Sequence, residues 1–201
     1  MTLHKSQEER RRDILDAART RFVTDGYSRS RLNDVAADAG LSKGGVYFHF
    51  KSKREIFDAL IDEDFDRVMK GLELIRGISG NIAAKITFFA QRALQLTAEN
   101  PAIAKFAIVM GEMGLADEEI RERIAEQHEL MVQGVKMMLE KGVEEGDLRA
   151  DLDTDVGARL LVSLMDGLRA AIAAGLHKNS QFETLISDGA TLLTEGFLAR
   201  K

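Results

Sequence analysis

Residues 32–50 read Leu32-Asn33-Asp34-Val35-Ala36-Ala37-Asp38-Ala39-Gly40-Leu41-Ser42-Lys43-Gly44-Gly45-Val46-Tyr47-Phe48-His49-Phe50, the spacing of two short helices joined by a tight turn. Counted from Leu32, Ala36 is fifth, Gly40 ninth and Val46 fifteenth. A second helix that crosses at Ala36 leaves room only for a small side chain. Gly40 is free to take the left-handed conformation that ends a helix in one residue. Leu32, Val35, Leu41, Val46 and Phe50 supply the apolar groups that hold the crossing angle. Ser42 follows the turn and is placed to cap the second helix by accepting from N–H groups of its first turn. The pattern predicts a helix-turn-helix, the arrangement that puts a short helix into the major groove of DNA.

The flanking sequence extends the helical reading in both directions. Ser6-Gln7-Glu8-Glu9 is a capping-box pattern, followed by Ile14, Leu15, Ala18 and Phe22 at helical spacing up to Gly26. Ser30 is the expected N-cap of the helix that begins at Leu32. Ser52-Lys53-Arg54-Glu55 is a second capping box, opening a long fourth helix that carries Ile56, Phe57, Leu60, Ile61, Phe65, Val68, Met69 and Leu72 before Gly77-Ile78-Ser79-Gly80 breaks it. Further helices are predicted at 81–98, 101–114, 118–145, 154–176 and 181–199, with Asn100-Pro101 as a cap and first-turn pair. Helix formers dominate and Pro101 is the only proline. The expected fold is therefore all-α with about nine helices: a three-helix reading head over residues 1–54 and a helical body over 55–201.

Residues 8–61 resemble the DNA-binding domain of the tetracycline-repressor (TetR) family of bacterial transcriptional regulators. Ile14-Leu15-Asp16-Ala17-Ala18 and Phe22 are similar to its first helix, Gly26-Tyr27 to the turn after it, and residues 34–44 to its second helix and turn. Val46-Tyr47-Phe48-His49-Phe50 and Ser52-Lys53-Arg54-Glu55 resemble its recognition helix and the start of its fourth helix. The resemblance implies a recognition helix from about Lys43 to His49. Its DNA-facing set is Ser30, Arg31, Ser42, Lys43, Gly44, Gly45, Tyr47, Phe48, His49 and Lys53. Tyr47, His49 and Lys53 match phosphate-contacting positions, and Lys43 can donate to a guanine edge or a phosphate. Two roles are open for Phe48: contact with a thymine methyl, or packing against the first helix. The family usually has Thr, Ser or Ala where this chain has Gly45, and Thr or Ser where it has Arg31, so an operator sequence does not carry over from relatives.

Charge and composition narrow the function classes. The net charge of −5 is unevenly placed: residues 1–54 hold twelve Lys and Arg against seven Asp and Glu, and residues 55–201 hold sixteen against twenty-six. A basic end and an acidic body orient the molecule toward phosphate by its N-terminal end. The chain has no cysteine, which excludes disulfides, thiol redox sensing and thiolate metal sites. Its N-terminus lacks the apolar core of a signal peptide and no apolar run approaches the ~20 residues of a membrane span, so a cytoplasmic protein without a membrane partner is expected. An enzyme is not expected, since there is neither a nucleophile elbow nor a phosphate-binding glycine loop. His4, His49, His128 and His177 are scattered without metal spacing, so no metal or cofactor is expected. Asp151, Asp153 and Asp155 begin like a calcium loop, but Val156 and Val162 stand where its glycine and bidentate glutamate belong, so the cluster reads as a helix cap.

The body carries two further candidate sites. Phe182, Leu185, Ile186, Gly189, Leu192, Leu193, Gly196 and Phe197 form one apolar face on the last helix, opened by the pattern Ser180-Gln181-Phe182-Glu183. With Leu160, Leu164 and Leu168 on the preceding helix, this is the expected homodimer interface; packing within one chain is the other reading of the terminal face. By resemblance, the body also holds a pocket for a small-molecule effector. Its candidate walls are Phe88, Phe89, Phe106, Met110, Met113, Met131, Met138 and Met165, with Arg92, Glu112, His128, Asp166 and Arg169 as polar groups. Each is equally a residue of an ordinary core or surface. Together these features imply a homodimeric repressor that binds double-stranded operator DNA and is released by an unknown small molecule. The alternative is an activator or a ligand-independent architectural DNA binder.

Overall fold

The structure is a computed structural model and describes residues 5–76 and 81–176, with Thr184 and Asp188. These residues form eight helices and no strand: α1 (Gln7–Asp25), α2 (Leu32–Asp38), α3 (Lys43–His49), α4 (Lys53–Arg76), α5 (Ile82–Glu99), α6 (Pro101–Ala116), α7 (Glu118–Glu144) and α8 (Thr154–Ala173). The all-α class and the order of elements are those expected. The predicted ninth helix lies almost wholly outside the described residues, as does the Gly77-Ile78-Ser79-Gly80 break.

Helix starts follow local chemistry. Ser6 Oγ accepts from Glu9 N at 3.1 Å while Ser6 N donates to the Glu9 carboxylate at 2.6 Å, a complete capping box. Those bonds favour the ionised carboxylate and hold Glu9 below the usual carboxylate range. The second box is shifted. Ser52 Oγ accepts from Glu55 N, but the Glu55 carboxylate takes the N–H of Lys51 rather than that of Ser52. Asp153 caps α8 by accepting from Asp155 N and Val156 N, which confirms the cap reading of that acidic cluster. Pro101 opens α6 as expected, but the Asn100 side chain makes no capping bond.

Ser30 corrects the sequence reading. The N-cap position of α2 belongs to Arg31, whose side chain makes no capping hydrogen bond. Ser30 is buried, and its hydroxyl lies 2.8 Å from the carbonyl oxygen of Gly26 and 3.1 Å from that of Arg21, so it closes the loop behind α1. Gly26 at φ +81° lets the chain leave α1 sharply enough for that loop to form.

Two buried cores hold the molecule. The upper one gathers Ile14, Phe22, Val35, Val46 and Phe50 of the helix-turn-helix with Ile56, Phe57, Leu60 and Ile61 of α4, and also Phe106 and Val109 of α6 and Ile120 of α7. Phe57 sits edge-on to Tyr27 at 4.9 Å and to Phe106 at 5.3 Å, joining α4 to both sides. The lower core packs Leu72 and Ile75 of α4 against Ile86, Val132, Leu139 and Leu161. Helices α4 and α7 therefore both enter the two cores, and α4 is the one that starts in the reading head.

Candidate functional site

The reading surface is built on a rigid base. Val46, fully buried, anchors α3 to the upper core, and Ser42 Oγ caps it by accepting from Gly45 N at 3.1 Å. Gly40, at φ +65°, makes the turn as its position in the sequence requires. Arg21 forms a two-pronged ion pair with Asp38, through Nε at 2.5 Å and Nη2 at 2.9 Å, and so fixes α1 against the end of α2. With its base held this way, α3 presents Lys43, Gly44, Tyr47 and Phe48 to solvent.

Phe48 is 72% exposed, which answers the question left by the sequence: it does not pack against α1. Its ring meets His49 edge-on at 5.2 Å. Lys43 Nζ lies 5.8 Å from the Tyr47 ring, so a cation and a phenol share one exposed face. A Cβ at Gly44 would meet nothing nearer than 3.9 Å, and one at Gly45 nothing nearer than 3.5 Å. Neither glycine is required by packing within the chain, and both leave the helix backbone bare where a groove floor would approach. Arg31 is exposed at the start of α2.

Lys53 behaves differently from the sequence expectation. Its ammonium donates to the carbonyls of Tyr27 at 2.7 Å, Ser30 at 3.0 Å and Ser28 at 3.3 Å, and lies 4.4 Å from the Tyr27 ring centre. Desolvation pulls its pKa below the usual lysine range. Three donors and three carbonyls make it a staple of the loop between α1 and α2, so its charge is already engaged within the fold. Ser30, buried with its hydroxyl satisfied, is likewise a support for the reading head and is not part of its exposed face.

Below the head lies a cavity between α4, α6, α7 and α8, in two adjoining chambers, the smaller of which is also walled by α5. The larger, about 290 Å³, is walled by Phe65, Met110, Ile124, Met131 and others, with His128, Asp166 and Arg169 as polar groups. The smaller, about 100 Å³, takes Phe88, Phe89, Arg92 and Met165 and shares Met131, Asp166 and Arg169 with the first. Thus nine candidates from the sequence come together here. Phe106 does not: it is fully buried in the upper core, where the Arg19 guanidinium stacks on it at 5.0 Å. Met113 packs on the same core, Met138 on the lower one, and Glu112 is exposed. Burial pushes the Asp166 carboxyl up, against the pull of Arg169 and of His128, whose Nε2 is 3.4 Å away.

Sequence reasoning missed Asp64, which lines both chambers, and its partner Arg19. Arg19 Nη1 donates to Asp64 at 2.8 Å and Nη2 to Glu63 at 2.7 Å, with the Arg19 and Asp64 side chains 3% and 5% exposed. A charged residue at an inward position of α1 was the available signal, since Arg19 directly follows the core residue Ala18 and precedes Phe22 by one turn. Three more ion pairs tie α4 to α7 and its N-cap: Arg54 with the cap residue Asp117 at 2.7 Å and with Glu119 at 3.3 Å, and Arg123 with Asp62 at 2.6 Å.

On α8, Leu160 and Leu164 are 56% and 41% exposed on one stripe with Val156, and Leu168 is half-buried. The other eight dimer candidates, Phe182, Leu185, Ile186, Gly189, Leu192, Leu193, Gly196 and Phe197, lie outside the described residues. Among the described residues no helix is long and apolar enough to cross a membrane.

Residues 14–60 match the family description "Bacterial regulatory proteins, tetR family", and residues 83–194 match "BetI-type transcriptional repressor, C-terminal". The chain is 27% identical to the HTH-type transcriptional regulator UidR of Escherichia coli (strain K12) over 164 residues, 80% of either chain. It is 26% identical to the HTH-type transcriptional regulator SrpR of Pseudomonas putida over 180 residues, 89% of this chain and 81% of the relative. Among solved structures, the fatty acid degradation regulator FadR of Bacillus halodurans superposes with a TM-score of 0.80 at 20% identity, covering 98% of this chain and 100% of that one. FadR of Bacillus subtilis, solved in complex with stearoyl-CoA, superposes with 0.77 at 20% identity, covering 92% and 98%. These relatives are transcriptional regulators, not enzymes. A helix-turn-helix head, a helical body and matches that together span most of the sequence lead to one assignment: the chain belongs to the TetR family of DNA-binding transcriptional regulators.

Proposed function

We propose that this protein is a homodimeric repressor that reads a palindromic operator with one α3 per subunit and leaves it when a small molecule fills the body cavity. The head over residues 1–54 supplies the DNA contacts, and the body over 55–201 supplies dimerisation and the effector site. The observation that carries this reading is the exposed face of α3, where Lys43, Tyr47 and Phe48 stand clear of a fully packed base. The cavity favours a ligand-responsive regulator over an architectural binder, and the match of the body to a repressor C-terminal domain favours repression. Release requires only that the effector bind the free geometry more tightly than the DNA-bound one.

Two recognition helices related by a two-fold axis read half-sites a whole number of helical turns apart, each ~34–36 Å. Selection of bound fragments from randomised DNA tests this, run at about 0.15 M salt because counterion release makes affinity depend steeply on ionic strength. Enrichment of an inverted repeat is the expected result. Enrichment of a single, non-repeated site would overturn the dimeric reading.

Tyr47 and Lys53 separate contact from support. Tyr47→Ala is expected to weaken binding to all DNA sequences alike, by roughly 1 kcal/mol for a lost phosphate hydrogen bond, with no change in melting temperature. Lys53→Ala is also expected to weaken all sequences alike, but through the fold, because three loop carbonyls lose their donor. Its melting temperature should drop. A base-specific loss for Tyr47→Ala, or an unchanged melting temperature for Lys53→Ala, would count against these roles.

A further inference from the structure

Val46 sets the orientation of α3. It is fully buried, and at about 100° per residue the direction opposite it falls between Gly44 and Phe48, each roughly 160° around the helix from Val46. Lys43 and Tyr47 lie to one side of that direction, Gly45 and His49 to the other. The exposures agree: Phe48 is 72% exposed against 42% for Tyr47.

The middle of the outward face therefore carries a single side chain, a phenyl ring, beside a glycine whose Cβ position is open space out to 3.9 Å. A phenyl ring has no group to donate to a phosphate or to the polar edge of a base. The hydrogen-bonding groups stand on the flanks. Lys43 Nζ is drawn toward the Tyr47 ring, 5.8 Å from its centre, and His49 braces the Phe48 ring edge-on at 5.2 Å. When a helix lies in the major groove its flanks meet the two phosphate rows and its middle meets the base edges. The one apolar substituent offered there is the C5 methyl of thymine. We propose that Phe48 is the specificity-determining residue of α3, reading thymine by packing its ring on that methyl, with Gly44 leaving room for the approach. The proposal rests on the reading of α3 as the recognition helix. Its consequence is a sequence preference set by an apolar contact at the centre of each half-site, while Tyr47 and His49 hold the helix in place from the sides.

The test replaces thymine by deoxyuridine, which keeps the base pair and the O4 acceptor and removes only the methyl. The fragment enriched from randomised DNA is made with each thymine replaced in turn, in both half-sites together. Binding of full-length wild type, Phe48→Ala and Phe48→Leu is then measured by fluorescence anisotropy at about 0.15 M salt. Loss of the methyl at one position should weaken wild-type binding about fourfold per half-site, the value of one buried methyl, and so on the order of tenfold or more for the pair. Phe48→Ala should bind more weakly and no longer distinguish thymine from uracil there, whereas Phe48→Leu should keep a reduced distinction. The site is exposed, so Phe48→Ala should melt at the wild-type temperature, and the wild-type scan decides alone if it does not. A scan with no sensitive thymine, an enriched motif without thymine, or a thymine preference that survives in Phe48→Ala would overturn the proposal and leave the regulator reading intact. Failure to enrich any sequence would overturn both.

Discussion

Arg19→Met should lower the unfolding free energy by roughly 3 kcal/mol, measured by urea denaturation, the low end of what breaking a buried ion pair costs. Methionine keeps the length and the contact with the Phe106 ring, so the loss is chiefly of charge. What remains is Asp64, 5% exposed, with one of its two guanidinium donors gone and Arg67 still attached at 2.6 Å. The surviving partner is the reason the low end applies. Glu63 loses its contact too, but it is about one-third exposed and water can replace it. Adding Asp64→Leu should restore much of the loss, since an apolar pair of similar volume carries no desolvation penalty. A loss below about 1 kcal/mol in the single variant would mean that water reaches Asp64 and screens it.

Neither partner of this ion pair was legible in the sequence, although much of the fold around it was. The helix-turn-helix was readable because its determinants are local: Ala36, Gly40 and Val46 have steric reasons to be where they are, and those reasons survive into the fold. The capping serines Ser6 and Ser42 are local in the same sense. Asp64 was not readable, because it lies 45 positions from Arg19 and only the packing of α1 on α4 brings them together. Phe106 misled for a related reason. An aromatic at helical spacing is the same signal whether it faces a cavity or a core, and the difference is made by Phe57 and Arg19 arriving from two other helices. Lys53 resembled a phosphate contact by position, yet the loop that bends back over it supplies three carbonyls. Its role depends on where a neighbouring turn goes, and a one-dimensional pattern holds no such information.

In the proposed dimer, replacing both Leu160 and Leu164 by Asp should produce the largest functional loss, a fall in operator affinity of at least about 10³-fold toward non-specific binding. These side chains, with Val156, stand one turn apart along α8 on a face that nothing among the described residues covers. Each buried apolar side chain of this size contributes about 1.5–3 kcal/mol to an interface, counted once per subunit. Two carboxylates per subunit would turn that gain into desolvation and mutual repulsion across the two-fold axis. The isolated chain should tolerate the change, because exposed substitutions usually move stability by no more than about 0.5 kcal/mol each. Sedimentation equilibrium should therefore show half the wild-type mass with an unchanged helical signal, and DNA binding should lose its sequence preference because one head reads only a half-site. If the variant stays dimeric, this face of α8 is not the contact between subunits, and the interface must be sought on other surfaces.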